Sequence, residues 1–478
     1  MMKNIRIFPS VLALLLMVFT NVEVYGQKKW TLRECVDYAL EHNITVKQNE
    51  INSELNEIIT LQNKMSLLPN LNASVGRNYN FGRTIDPFTN QFTTQQVESD
   101  NWSLSSNVTL FNGFSLQNTL KQSQLNYLAG KSDLQKVKND ISLNVITSYL
   151  QVLYAKEQLN VADGRVAQAQ QQLDRVRRMV DGGLMVQGNF LDATSQLANE
   201  ELSKITAENQ WMTAKLTLTQ LLQLESPEGF EVEDPAVLVP ETSVTDMQPA
   251  QIFALGEKAL PEVKAADIRV QSAEKGVSIA KASYYPRLTA FGQLSSFYSS
   301  SSKKFVGGDF NGFFPNGSIT SGGDTVLSPD FSTRIEDNPY RDQLDENYNK
   351  AFGLSLSIPI FNGLSSQSNV KRARLNLENS KYAAQQTRNV VYQSIQQAHT
   401  DAIAAKKRFD ATNKSLSAFE EAYQYAEKRF NAGLINSLEF LTANNNLTRT
   451  KVELLQAKYD YIFRLKVLDF YAGNPLTF

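Results

Sequence analysis

The sequence has few of the residues on which most enzyme chemistry depends. It carries one cysteine, Cys35, so no internal disulfide can form and a disulfide scaffold is excluded. The only histidines, His42 and His399, lie far apart, which removes the His-pair zinc signatures and leaves a His-assisted Ser or Cys nucleophile without support. Neither a Gly-x-Ser-x-Gly elbow, nor a glycine-rich phosphate loop, nor a metal-ligand cluster is present. Charge of neither sign prevails: 47 basic against 49 acidic side chains give −2. A protein that tracks phosphates needs an excess of positive charge, so no nucleic-acid partner is expected. After residue 26 no apolar run approaches the roughly 20 residues of a membrane helix. These absences predict no enzyme, no cofactor and no metal.

What is present begins with a targeting segment. Lys3 and Arg6 precede an unbroken apolar run from Val11 to Phe19, and Gly26 precedes Gln27. The pattern predicts a signal peptide over 1–26 and an exported chain. Nine apolar residues are too short to span a bilayer.

The chain then repeats itself. Leu104–Asn126 aligns with Leu354–Asn376 at an offset of 250, and Phe-Asn-Gly recurs at 111–113 and 361–363. The same offset carries Gly183-Leu184 onto Gly433-Leu434 and Phe190-Leu191 onto Phe440-Leu441, while Val46 and Pro69 map to Val263 and Pro286 at an offset of 217. The difference locates an insertion of 33 residues between Pro286 and Phe361. A period this long is outside the solenoid range and reads as a duplicated domain. The halves are 27–224 and 249–478, joined by a linker over 225–248.

Each half predicts a helix, two strands, a very long helix and a further helix. Thr31-Leu32-Arg33-Glu34 is a capping box that starts a helix reaching to about Ser66. From Ser115 to Val180 no proline interrupts, and Asp181-Gly182-Gly183 ends the run; Leu364 to Asn431 is its partner. The summed helices make up roughly 62% of the exported chain, against a base rate near a third. Along the second rod Val370, Ala373, Leu377, Ala384, Val391 and Ala398 belong to a seam stepping by about 3.5 residues, the spacing of left-handed coiled-coil packing. The same positions in the first rod, 250 residues earlier, repeat it.

Four segments alternate apolar with polar residues, as outer-membrane strands do. They run through Leu71–Phe81, Trp102–Leu110, Leu288–Phe297 and Phe352–Ile360, with Arg77 interrupting the apolar row of the first. A membrane barrel must close, and single-chain barrels start at about eight strands, so four strands require several copies. Three copies supply twelve. The joining stretch Lys303–Glu346, with four basic and eight acidic side chains, is expected to be a long polar loop, within 299–348, that does not order firmly.

With these features the sequence resembles the TolC family of outer-membrane efflux ducts. The resemblance rests on the duplicated element order, the repeated Phe-Asn-Gly, and the two matched runs 178–184 and 429–434; Gly82–Pro87 resembles outer loops of the family's Bacteroidetes members. It implies a mainly α fold with a membrane β-barrel portion, in which a trimeric twelve-stranded barrel continues into a twelve-helix tunnel through the periplasm. It implies a homotrimer in outer-membrane lipid, working with a periplasmic adaptor and an inner-membrane RND or ABC transporter. Gly182, Gly183, Leu184, Gly433 and Leu434 would form the periplasmic tip where the adaptor docks. Glu439 matches the first acid of the constricting rings in some members, Asp192 is its counterpart in the first half, and Thr442 stands where a second acid would be; these three are the candidate gate. The alternative is an exported trimeric coiled-coil structural or adhesin protein without a pore.

Overall fold

The computed structural model describes residues 29–85, 90–94, 96–233 and 243–474. The expected signal peptide and the middle of the 225–248 linker lie outside the described residues. In chain order the main elements are α1 (Leu32–His42), α2 (Ile44–Met65), β1 (Asn72–Asn80), β2 (Val97–Phe111), α3 (Ser115–Asp181) and α4 (Gln187–Leu222). The second half supplies α5 (Pro249–Gly256), α6 (Pro261–Lys281), β3 (Arg287–Ser299), β4 (Lys303–Ile319), β5 (Thr325–Asp337), α7 (Tyr340–Glu346), β6 (Asn349–Ser357), α8 (Ser365–Asn431) and α9 (Ser437–Tyr471). No described helix is long and apolar enough to cross a membrane.

The capping box forms as expected, with the Glu34 amide donating to Thr31 Oγ1 at 3.2 Å and the Thr31 amide to Glu34 Oε2 at 3.0 Å. The single helix expected from there to Ser66 is instead two. Asn43 leaves the helical region at ψ 126°, its Oδ1 accepts from the Thr45 amide at 2.9 Å, and its Nδ2 donates to the Leu221 carbonyl at 3.2 Å. A buried asparagine that bonds its own backbone offers the chain an alternative to helix continuation. The long rods are as expected: α3 and α8 each hold 67 residues, about 100 Å of helix at 1.5 Å per residue.

The described residues form two compact units, and each draws on both halves of the sequence. One comprises the chain up to Leu55, Tyr127–Arg269 and Lys381 onward; the other comprises Asn56–Asn126 and Val270–Ser380. The first unit contains two apolar clusters that are copies of each other. Cys35, Val46, Ile141, Val145, Val152 and Leu218 belong to one; Ile252, Val263, Val391, Ile395, Ala402 and Leu468 belong to the other. The pairs are related by the offsets of 217 and 250 residues found in the sequence. The duplication therefore reaches the side chains that exclude water. The seam read from the sequence is buried or half-buried at each named position of the second rod.

Tyr149 shows how this core seals its polar atoms. It is fully buried, and its hydroxyl lies 3.1 Å from the Trp30 carbonyl and 2.6 Å from that of Glu233. Tyr149→Phe removes the donor and leaves two carbonyls without it, so a loss of about 1–3 kcal/mol in unfolding free energy is expected by denaturant titration. Cys35 is completely buried nearby, and burial pushes its thiol up to about 12. The thiolate is the reactive form. Maleimide at pH 8 should leave the folded protein unlabelled and modify it fully in guanidinium, as mass spectrometry would read; labelling of the folded protein would contradict this packing.

In the second unit the four alternating segments form one antiparallel sheet in the order β6-β3-β2-β1. The fourth strand ends at Ser357, short of the expected Ile360, because Pro359 cannot donate to a ladder. After β2 and before α8 the two Phe-Asn-Gly runs make the same corner. Gly113 and Phe114 have φ 64° and 61°, Gly363 and Leu364 have φ 62° and 63°, and the fourth residue's amide returns to the asparagine carbonyl at 3.2 Å in both. Two successive left-handed residues define a type I′ turn, which explains the motif. A Cβ on Gly113 would also stand 2.9 Å from the Ala282 carbonyl oxygen.

The expectation of a poorly ordered loop over 303–346 is overturned. β4 and β5 pair over their length as a long hairpin, followed by the short helix α7. Alternation was hidden in the sequence by register shifts between Phe305 and Gly307 and between Phe310 and Gly312. Each added residue returns the next phenylalanine to the same face.

Candidate functional site

The sheet of the second unit has two chemically opposite faces. Cross-strand partners share a face. Leu104↔Leu294, Val108↔Ala290 and Leu354↔Ala290 place the apolar row on one side; Ser103↔Ser295, Asn107↔Phe291 and Ser105↔Gln293 place a mostly polar row on the other. Phe352, Leu354 and Leu356 are open to the surroundings on the apolar face. Both outer strands, β1 and β6, have one pairing partner each among the described residues.

Arg77, the residue that breaks the apolar row, is neutralised within it. Its Nε and Nη2 donate to the two carboxylate oxygens of Asp100 at 2.7 Å each. Tyr340 donates to Asp100 Oδ2 at 2.9 Å and accepts from Trp102 Nε1 at 3.1 Å, and its ring lies 4.6 Å from that of Tyr298. A band of Tyr and Trp with a paired charge at one end of an apolar face is the composition of a membrane–water interface.

The first unit carries the two helix turns. At Gly183 and Gly433 φ is 71° and 72°, and both turns close alike: the Leu184 amide bonds the Met179 carbonyl at 2.8 Å, and the Leu434 amide bonds the Arg429 carbonyl at 2.9 Å. This is the six-to-one bond of a Schellman cap, and glycine takes the left-handed position without strain. The leucines that follow are 79% and 69% exposed, although each is a large apolar side chain. Gly182 precedes the left-handed residue and is itself exposed.

Between these turns lies a cleft of about 1150 Å³. Asp192 and Gly433 line it; Glu439 and Thr442 do not. Glu439 instead sits in the first turn of α9, where its amide donates to Asn436 Oδ1 at 2.8 Å and its carboxylate accepts from Asn436 Nδ2 at 3.3 Å. Thr442 is exposed and bonds back to the Leu438 carbonyl at 2.8 Å. The three candidate gate residues are therefore not gathered into one cluster within a chain.

What the cleft does gather was not singled out from the sequence. Gln168 on α3 exchanges amide bonds with Asn444 on α9, at 3.1 and 3.0 Å, and its Nε2 reaches the Tyr423 hydroxyl on α8 at 3.4 Å. Burial pushes the Tyr423 hydroxyl upward in pKa, with Glu427 adding to it. Nearer the turns, Arg175 lies 4.9 Å over the Phe430 ring, which stacks on Phe440 at 4.8 Å. The only signal in the sequence was the row of glutamines along α3, which does not say which one faces a partner helix. Three helices are tied here by neutral amides and a stacked cation, links that can break without stranding a buried charge.

Comparison with known proteins agrees with this architecture. The model of the family described as "Outer membrane efflux protein" matches residues 36–223 and 257–474. The chain is 23% identical over 361 residues to "Toxin and drug export protein A" of Aggregatibacter actinomycetemcomitans, covering 75% of this chain and 69% of that one. It is 22% identical over 341 residues to "Outer membrane protein TolC" of Vibrio cholerae, covering 69% and 67%. Among solved structures, the Campylobacter jejuni CmeC outer membrane channel superposes with a TM-score of 0.73 at 16% identity, covering 92% of this chain and 85% of that one. One matched segment lies in each half of the sequence, and the chain belongs to the outer membrane efflux protein family.

Proposed function

We propose that three copies of this chain close a twelve-stranded barrel in the outer membrane, and that the assembly is the passive exit duct of an efflux or secretion system. The observation that carries this reading is the two-faced sheet with two open edges. An unpaired strand edge in lipid would strand backbone donors and acceptors, each at a cost of several kcal/mol, so closure is obligatory. Partnering copies also account for apolar stripes left open on the helices: Ile44, Ile51, Leu55, Ile58 and Met65 on α2, and Leu202, Ile205, Met212 and Leu216 on α4. Contiguous apolar surface of this kind marks interfaces. A pore-free coiled coil would have no use for the two-faced sheet.

The energy for transport would come from an inner-membrane RND or ABC transporter, bridged to the duct by a periplasmic adaptor. The adaptor would dock at the exposed tips, Gly182–Leu184 and Gly433–Leu434, where large apolar side chains stand at the ends of rigid helices. Three copies of Glu439 around one axis, with Asp192, would favour cations at the constriction. Purified protein in planar bilayers should show discrete, cation-selective conductance, and Glu439→Ala should lower the cation preference in a salt-gradient reversal potential. Absence of any conductance from membrane-inserted trimer would overturn the duct reading.

A further inference from the structure

The 33-residue insertion has folded into an element whose apolar face has no covering partner among the described residues of its own chain. Cross-strand pairing places Phe305 with Ile335, Phe310 with Phe331, Phe313 with Pro329 and Pro315 with Leu327 on one face of the β4–β5 hairpin. The opposite face holds Lys304 with Glu336, Asp309 with Ser332, Arg334 and Asp330 opposite glycines, and a single aromatic, Phe314, opposite Ser328. Phe305, Phe310, Phe313, Leu327, Phe331 and Ile335 are 53–65% exposed. At 150–250 Å² for an aromatic side chain, the open apolar area is on the order of 600 Å² per chain, what one partner contributes to an ordinary stable interface. A two-stranded hairpin is marginal in water without something packed on its apolar face.

The base of the hairpin is held firmly. Gln343 of α7 is buried, with its Nε2 donating to the Asn338 carbonyl at 2.8 Å and its Oε1 accepting from the Ser299 amide at 2.9 Å. Lys303 and Asp337 pair at the foot, and the Asn338 amide reaches the Ser302 carbonyl at 3.1 Å. The face is therefore presented in a set direction.

Lipid is a poor occupant. The Tyr298–Tyr340–Trp102 band marks the membrane boundary, and the hairpin starts at Lys303, beyond Tyr298 on its strand. The apolar face itself has no Trp or Tyr among its paired residues, which an interfacial surface would use. A strongly charged partner is no better suited, because the polar face mixes both signs. A second copy fits. The hairpin returns through α7 into β6, the open edge strand that closure pairs with the next chain. A twelve-stranded barrel with strands about 4.8 Å apart and tilted about 40° is roughly 24 Å across, whereas the 13 residues of β5 extend about 43 Å. Each hairpin is long enough to meet its neighbours over the mouth.

We infer that the hairpins of the three copies pack together by their apolar faces on the outer side of the barrel, forming a collar that links the chains above the membrane. This rests on the trimeric duct reading. The test uses the full-length protein in lipid nanodiscs, with Phe331→Cys as the variant, Leu327→Cys as a second apolar-face position and Arg334→Cys as the polar-face control. Wild type reports any background from Cys35. A short bis-maleimide should link most Phe331→Cys and Leu327→Cys chains into covalent dimers, at least five-fold more than Arg334→Cys, while light scattering reports a trimer. A trimer whose apolar-face variants link no better than Arg334→Cys overturns the collar and leaves the duct standing. Linkage to a different envelope protein in whole cells, in place of the dimer, overturns it too. Failure to form a trimer at all removes both.

Discussion

With the proposed duct gated at its helix turns, Gln168→Ala is expected to raise the conductance of the reconstituted trimer by about ten-fold or more. The Gln168 side chain makes three hydrogen bonds that tie α3 to α8 and α9 beside the helix turns. Neutral hydrogen bonds contribute about 0.5–1.5 kcal/mol net each, so loss of the set costs the arrangement described above at least about 1 kcal/mol per chain. Three chains opening together multiply this to about 3 kcal/mol, on the order of a hundred-fold in the ratio of open to closed states. Tyr423→Phe, which removes one weak acceptor at 3.4 Å, should have a small effect. Among the described residues Gln170 bonds only along its own helix, to Asp174, and Gln170→Ala should leave conductance unchanged. Equal conductance in Gln168→Ala and wild type, with the trimer intact, would show that this network does not hold the tip closed.

Leu354→Arg should abolish stable insertion, and Ser355→Arg should not. The two are neighbours on β6, but Leu354 shares the apolar face with Ala290 while Ser355 faces the polar side with Thr289. An arginine on the lipid face near the midplane costs about 2–4 kcal/mol, incurred once per chain in a trimer, whereas a lumen position tolerates charge. The folded fraction recovered in lipid vesicles, read by heat-dependent gel mobility, would separate them. Similar losses at both positions would mean the assignment of the faces is wrong.

Much of this architecture was legible because duplication doubles every weak signal. One Phe-Asn-Gly is a common tripeptide; two at an offset of 250, each before a long proline-free run, located the corners that Gly113 and Gly363 make. The rods needed only their helical period and terminal glycines. Asn43 was missed because a single polar residue in an otherwise helical run does not reveal that its side chain will bond the Leu221 carbonyl, 178 residues away. The hairpin was missed for a different reason: its bulges shift the period-two pattern twice, so Phe305, Phe310 and Phe313 look randomly spaced until the backbone is known. At the site, the glycine turns followed from local geometry, whereas Gln168, Tyr423 and Asn444 come from three helices, and only packing identifies which of many amides meet.

The most direct measurement is the mass of the protein extracted from membranes and held in nanodiscs, taken together with its behaviour in buffer free of detergent. The account predicts three chains per particle and aggregation when the lipid or detergent is removed. A monodisperse single chain that stays soluble in plain buffer would contradict it.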